Sequence, residues 1–347
     1  MPQPPSAPPI TVVIATRDRP ALLRDALAAL ATSLRSVDAV VVVDSASRQA
    51  AVGQVAEQAG AQVVRCEQPG TGRARNAGWR AAGTELVAFT DDDCLPTAGW
   101  APAAAAALAA DPDVAFVTGR VLPATAVTGR AQLGISLLLR DTPSTFGPGA
   151  DPAGVGHGAN MAWCCGALER LGGFDEQLGP GTRLRAAEDH DLFWRALRAG
   201  AAGRFDPSLT VLHRPWRDRR GQLRAYYGYG VGTGALAAKR RRMSGGADPA
   251  PPLAAGGLLA LVGAELAGRQ AASALRRSVG ERYAMGALGE LVKLAGAARG
   301  AAVAARLPLQ AGHYRPPPLT GSAAARRTGA EAGVEDGPAP PAGGAVP

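Results

Sequence analysis

The chain is poor in the residues that build covalent or soft-metal frameworks. It holds four cysteines and four histidines in 347 residues. Two cysteines are adjacent, Cys164 and Cys165, and none stands in a Cys-x-x-Cys pair, which excludes a disulfide scaffold or zinc ribbon and fits a reducing compartment. Cys94 reads as a small buried hydrophobe. Aromatic residues make up only 5% and are not interleaved with basic runs, so nucleic acid is not the expected partner of the net charge of +8. That charge favours phosphates of a nucleotide or a lipid surface. No clean apolar run reaches the roughly 20 residues of a membrane span. Residues 1–9 are proline-rich and read as disordered, without the charged and apolar regions of a signal peptide, so a cytoplasmic location is expected.

With 47% apolar residues the chain can bury a sizeable core. From Ile10 to Val117 short β-branched runs alternate with alanine-rich helical stretches. Strands are expected at Val12–Ile14, Ala39–Val43, Gln62–Val64, Leu86–Phe89 and Val114–Val117, and helices at Pro20–Leu30, Gln49–Ala59, Gly72–Ala82 and Ala98–Ala109. This alternation predicts an α/β fold with a mostly parallel central sheet covered by helices. Ligands of such sheets bind beyond the carboxyl ends of the strands.

Those ends carry charge. The run Phe89-Thr90-Asp91-Asp92-Asp93 closes an apolar strand with three carboxylates, which repel one another unless a cation relieves them. Oxygen ligands without His or Cys among them favour a hard divalent ion, Mg²⁺ or Mn²⁺. The first strand runs into Thr16-Arg17-Asp18-Arg19-Pro20 and the second into Asp44-Ser45-Ala46-Ser47, so Thr16, Asp44 and Asp91–Asp93 would share one crevice. Between them lies Pro69-Gly70-Thr71-Gly72-Arg73-Ala74-Arg75-Asn76-Ala77-Gly78, a glycine-bearing helix start where backbone N–H groups favour anions. Arg73 and Arg75 are candidates there for phosphate or base contact.

Taken together these motifs resemble the inverting glycosyltransferases of family 2, from about Ile10 to about Lys239. The resemblance implies a single Rossmann-like type A glycosyltransferase domain over residues 10–240, with a nucleotide-sugar half (10–120) and an acceptor half (121–240). It implies a nucleoside-diphosphate sugar donor held by Thr16, Arg17, Asp18, Asp44, Arg73, Arg75, Asn76, Asp91 and Asp92, with Asp44 on the base and Asp91 facing the nucleoside. Asp93 becomes the direct ligand of Mn²⁺ or Mg²⁺, with His213, at the end of Phe205–His213, as a second ligand. Ser45 departs from the second acid or Asn that many members carry. In the second half, Leu171-Gly172-Gly173-Phe174-Asp175 and Ala187-Glu188-Asp189-His190-Asp191 are similar to family motifs in which the second acid of the pair is the base. Asp189, with Glu188 beside it, is then the catalytic pair at a helix N-terminus. Asn160, Gly181, Thr182 and Trp216 are expected on the acceptor side, whose hydroxyl ligand would be a cell-envelope, polysaccharide or lipid-linked intermediate. The Gln-x-x-Arg-Trp motif of processive synthases is absent.

Beyond Lys239-Arg240-Arg241-Arg242 two readings stay open for residues 241–315. Leu253–Leu266 and Tyr283–Leu307 are either helices packed on the catalytic domain or, with the basic run, a peripheral contact with an anionic bilayer on the inner face of the membrane. Residues 316–347 read as a disordered tail. Two other functions share the acids and glycines. A sugar nucleotidyltransferase would place a glycine-rich loop directly after the first strand, where Thr16–Arg19 stand. A nucleotide-sugar-binding protein without turnover would not need both Asp93 and Asp189.

Overall fold

The computed structural model describes residues 7–124, 136–245 and 280–316. The start of the proline-rich segment, Leu253–Leu266 and the tail after Pro316 lie outside the described residues.

The expected alternation is present. β1 (Ile10–Thr16) and β2 (Ala39–Ser45) flank α1 (Pro20–Ala31); α2 (Ala51–Gln58) leads to β3 (Gln62–Cys66), and α3 (Thr71–Arg80) to β4 (Leu86–Asp91). Pro20 opens α1, where a missing N–H costs nothing, and Leu23, Ala26, Leu27 and Leu30 form its buried stripe. The chain continues through β5 (Cys94–Pro96), α4 (Trp100–Ala109), β6 (Val114–Pro123), β7 (Ser144–Phe146), β8 (Asn160–Cys164), α5 (Cys165–Arg170), α6 (Glu188–Arg198) and β9 (Ala202–His213). Two long helices follow, α7 (Arg219–Met243) and α8 (Gly280–Ala304), then the small hairpin β10 (Leu309–Gln310) and β11 (His313–Tyr314).

The strands form one mixed sheet in the order β3-β2-β1-β4-β8-β6-β9-β5, with β7 on β9. Its first four strands are parallel throughout, while β8 runs antiparallel between β4 and β6. Parallel register sets Thr16 beside Asp44 and Ala15 beside Asp91, so the three polar strand ends open on one side. Antiparallel pairing of β5 with β9 sets Cys94 opposite His213. That pairing carries His213 to the acidic triplet from the far end of the domain.

Both faces of the sheet are covered, so its inner strands are apolar on both sides. Ile10, Val12 and Ile14 pack with Leu23, Leu30 and Trp100 on one face, and Val13, Val41 and Phe89 pack with Phe174, Leu192 and Phe193 on the other. On the second face the Phe116 ring stacks on Trp163, with centroids 4.5 Å apart. Gly78 lets α3 settle on the strands, since a Cβ there would run into Val13 Cγ1.

The region after Met243 is helical where it is described, and α8 lies along α7 with backbones in close approach. A Cβ on Gly230 would meet the Lys293 carbonyl, and one on Gly300 the Val231 carbonyl. A buried ion network anchors this pair. Lys239 is fully buried, its Nζ 2.6 Å from both Asp175 Oδ2 and Asp191 Oδ1. Arg195 donates to Asp191 Oδ2 and to the carbonyls of Leu171 and Gly173, and the Tyr314 N–H donates to Asp175. Arg242 donates to the Ala304 and Leu307 carbonyls. Lys239 of the basic run is thus held inside the fold, while Arg242 stays exposed as it ties α7 to the end of α8.

Candidate active site

At the acidic end the three aspartates have three different surroundings. Asp91 is half-buried and accepts from Arg75 Nη2 at 2.9 Å. Asp92 is fully buried beneath the crevice, accepting from Thr16 Oγ1 at 2.6 Å with Arg19 Nη2 2.9 Å away. Burial pushes the Asp92 carboxyl up to about 7 against the attraction of Arg19. Thr16 and Asp92 Oδ2 therefore bond to each other in the interior, and Asp92 Oδ1 has Arg19 as its charged neighbour.

Asp93 is the acid aimed at a partner. Its Oδ1 lies 3.6 Å from His213 Nε2, Trp216 Nε1 donates to its Oδ2 at 2.6 Å, and Arg19 Nη1 is 3.5 Å from Oδ2. Burial works to raise this carboxyl, but the contacts with His213, then Arg19 and Trp216, outweigh it and hold it well below the usual range. Cys94, whose thiol burial pushes far up, donates to Asp93 Oδ1. The ligand atoms of Asp93, Cys94 and His213 all lie within 4.8 Å of one another, and His213 Nδ1 is buried without a hydrogen-bond partner among the described residues. A carboxylate oxygen, an imidazole nitrogen and a thiol that resists ionisation make a donor set suited to a divalent cation held by Asp93 and His213.

On the donor side, Asp44 accepts from the Ser47 N–H at 2.8 Å and from Arg65. Asp18 accepts from the N–H and Nε of Arg48, which lower its carboxyl, and Arg17 extends beside it, half exposed. Arg73 pairs with Glu176 and donates to the Pro69 carbonyl. The start of α3 is roofed, because the Thr71 N–H donates to the Pro180 carbonyl and the Gly70 N–H to Ser45 Oγ. Two N–H groups at the start of α3, those of Gly70 and Thr71, are thus used within the protein. Arg75 is buried between Asp91 and Glu188. Asn76 donates to the Phe174 carbonyl and Glu176 and accepts from the Phe174 N–H and Trp79, bracing the Gly-Gly-Phe-Asp turn.

The opposite wall is the start of α6. Ala187 adopts a left-handed conformation, φ 70°, which turns the chain so that Glu188 and Asp189 head the helix. Asp189 Oδ2 accepts from the Gly158 N–H at 2.7 Å and Oδ1 from the His190 N–H at 2.8 Å. The His157 and His190 rings flank it, with one ligand atom of each within 4.8 Å of its carboxylate. Burial resists ionisation of both acids. At Asp189 the charges of His190, Arg75 and His157 and the Gly158 N–H outweigh burial and hold the carboxyl low. At Glu188 burial and the charge of Asp189 outweigh Arg75 and push it up. Two adjacent carboxyls are thereby drawn apart, one held ionised and one inclined to keep its proton.

Of the expected acceptor contacts, Asn160 is buried. Its amide donates to the Arg120 and Leu209 carbonyls and accepts from Trp100 Nε1, so it is a buried strut of the sheet. Gly181, at φ 88°, lies against Gly70, and Thr182 Oγ1 closes its own turn onto Gln177 and Gly179. Trp216 is 43% exposed and sits over Asp93 with the Arg19 guanidinium 5.1 Å from its ring centroid. Arg19, His157 and His190 were not expected as neighbours of the acids, although Arg19 and His190 stand inside the motifs quoted above. Nor was the role of Lys239 expected, which no local signal separates from the arginines after it.

Residues 11–166 match the family described as Glycosyl transferase family 2. Residues 11–166 form a glycosyl transferase family 2 domain. Two curated relatives, the pre-mycofactocin glycosyltransferases of Mycobacterium tuberculosis strains CDC 1551 / Oshkosh and ATCC 25618 / H37Rv, are each 34% identical over 304 residues, covering 79% of this chain and 60% of theirs. The chain thus spans 60% of the length of these relatives. Among solved structures, the mannosyltransferase PcManGT from Pyrobaculum calidifontis, in complex with GDP-Man and Mn²⁺, superposes with a TM-score of 0.56 at 23% identity over 86% of this chain and 89% of that one. The family 2 domain therefore has the type A glycosyltransferase fold.

Proposed function

We propose that this protein transfers a sugar from a nucleoside-diphosphate carrier to a hydroxyl acceptor with inversion at the anomeric carbon. The reading rests on the fork of Arg75, which ties the strand-end acid Asp91 to the acid pair at the head of α6. Donor and base are thus walls of one crevice. Asp189, kept ionised by its surroundings, takes the proton of the acceptor hydroxyl. That oxygen attacks the anomeric carbon from the face opposite the diphosphate, and the bond to the leaving nucleoside diphosphate breaks. One displacement inverts the centre without a sugar–enzyme bond. Asp44 and Asp91, with Arg17, Asp18 and Arg73 at the rim, bind the donor. Asp93 and His213 would hold Mn²⁺ or Mg²⁺, which when bound supplies charge to the departing diphosphate.

Support for a nucleotide-sugar donor comes from the Pyrobaculum calidifontis relative in fold, which is bound to GDP-Man and Mn²⁺. Gly181, Thr182 and Trp216 face the acceptor, a cell-envelope, polysaccharide or lipid-linked intermediate on the cytoplasmic side. Among the described residues no helix is long and apolar enough to cross a membrane. The test is a calorimetric and thermal-shift panel of nucleoside diphosphates and their sugars with and without Mn²⁺, followed by NMR of the product anomer. Metal-dependent stabilisation by one nucleotide and an inverted product are expected. Silence across the panel, or retained configuration, overturns the reading.

A further inference from the structure

Beside the crevice, on the far side of the turn that carries Gly181 and Thr182, lies a cavity of about 600 Å³ between that turn, α7 and α8. A second lobe of about 230 Å³ continues from it along α8. Arg183 and Arg299 line both lobes, Arg185 the first and Arg306 the second. Among the described residues no aspartate or glutamate lines either lobe. No carboxylate pairs with any of these four arginines among the described residues. The floor is apolar, with Tyr227, over which Arg185 stacks at 5.6 Å, and Val303.

Four guanidinium groups around one basin repel one another, and each presents a planar fork of donors. Their shared complement is an anion with more acceptor oxygens than the two of a carboxylate. A phosphate or diphosphate group meets that need, and the larger lobe falls within the usual size of ligand sites, roughly 300–1,000 Å³. The basin is separate from the donor crevice. The strand-end acids that define that crevice are absent from its lining, and the turn between them is pinned to the start of α3 by the Thr71–Pro180 hydrogen bond. Arg183 and Arg185 stand on the turn that leads into Glu188 and Asp189 at the head of α6.

We propose that this basin binds the phosphate or diphosphate group of the acceptor, placing the acceptor's hydroxyl toward Asp189. The assignment of the occupant rests on the transfer reading above; the presence of an anion site does not. Inorganic pyrophosphate is titrated calorimetrically into the full chain in metal-free buffer, against the wild type, Arg183→Ala/Arg299→Ala and Asp93→Ala. Both arginines are exposed, and unchanged thermal melting verifies that the double variant folds. The double variant is expected to bind pyrophosphate roughly tenfold or more weakly while keeping Mn²⁺-dependent nucleoside-diphosphate binding. Asp93→Ala is expected to show the converse. Unchanged pyrophosphate affinity in the arginine variant overturns the site. The acceptor role is tested with a hydroxyl acceptor in phosphorylated and dephosphorylated forms. A lower KM for the phosphorylated form, lost in the double variant, supports it, and equal KM for the two forms in the wild type overturns it. Loss of all nucleotide binding with pyrophosphate binding intact would sink the transfer reading and leave the anion site standing.

Discussion

Arg75 and Glu188 are joined by a 2.8 Å hydrogen bond between two buried side chains that stand 113 residues apart in the chain. The other arm of the same guanidinium reaches Asp91 at 2.9 Å. One cation therefore fixes the distance between the wall that carries the donor acids and the wall that carries the base. Gly158 leaves room for it, because a Cβ there would lie 2.7 Å from both terminal nitrogens of Arg75.

Replacing Arg75 by methionine leaves Glu188 buried beside Asp189 with its cation gone. A loss of about 3–5 kcal/mol is expected, read from urea denaturation at pH 7. Arg75→Lys keeps the charge but not the fork, so transfer should fall more than stability. An Arg75→Met protein as stable as the wild type would show that the bridge is not structural.

Asp189→Asn keeps the shape of the side chain and removes the proton acceptor. A fall in kcat of roughly 10²–10⁴-fold is expected, with donor affinity by calorimetry unchanged. Wild-type turnover in this variant would remove Asp189 from the reaction.

The acidic triplet separates by role. Asp93→Ala and His213→Ala should each abolish the Mn²⁺-dependent part of donor binding. Asp92→Asn should leave it intact, since Asp92 lies beneath the site and an amide oxygen can still accept from Thr16. Thermal shifts with nucleoside diphosphate, with and without Mn²⁺, read all three. A loss of metal dependence in Asp92→Asn equal to that in Asp93→Ala would place the ion elsewhere.

The Lys239 network predicts acid sensitivity. Burial alone would raise the Asp191 carboxyl, but Lys239 and Arg195 outweigh it and lower it. A carboxylate depressed in the folded state stabilises fully above its unfolded value, about 4. That contribution is lost as pH falls through the lower folded value. Lys239→Met strands Asp175 and Asp191 and should cost about 3–5 kcal/mol at pH 7. The gap to the wild type should narrow as pH drops below about 4 in melting curves. A gap that stays constant with pH would mean that packing of the lysine stem, not its charge, supports α7.

Much of this protein is written locally. Strand and helix alternation was legible from Ile10 to Val117 because side-chain period is a property of neighbouring residues. The triplet at the end of β4 and the acid pair heading α6 were legible because like charges concentrated at the end of an element need a reason to be there. The glycines of the α3 motif were visible, but not their use. Gly78 seats the helix on Val13, and two of the amides at its start, those of Thr71 and Gly70, are engaged by Pro180 and Ser45.

Partners at long range were decided by tertiary structure alone. The sequence by itself determined the class of fold, the side of the sheet where ligands gather and the acids that could do chemistry. It did not determine which acid faces the crevice, because that follows from β5 pairing with β9, which turns Asp93 toward His213 and leaves Asp92 beneath. Asn76 and Asn160 became struts, and Lys239 became the centre of an ion network, because burial removes water and each polar group must then find its partner within the protein, wherever the chain brings one. Periodicity and composition describe a residue's own neighbourhood, and these pairings join residues tens to more than a hundred positions apart.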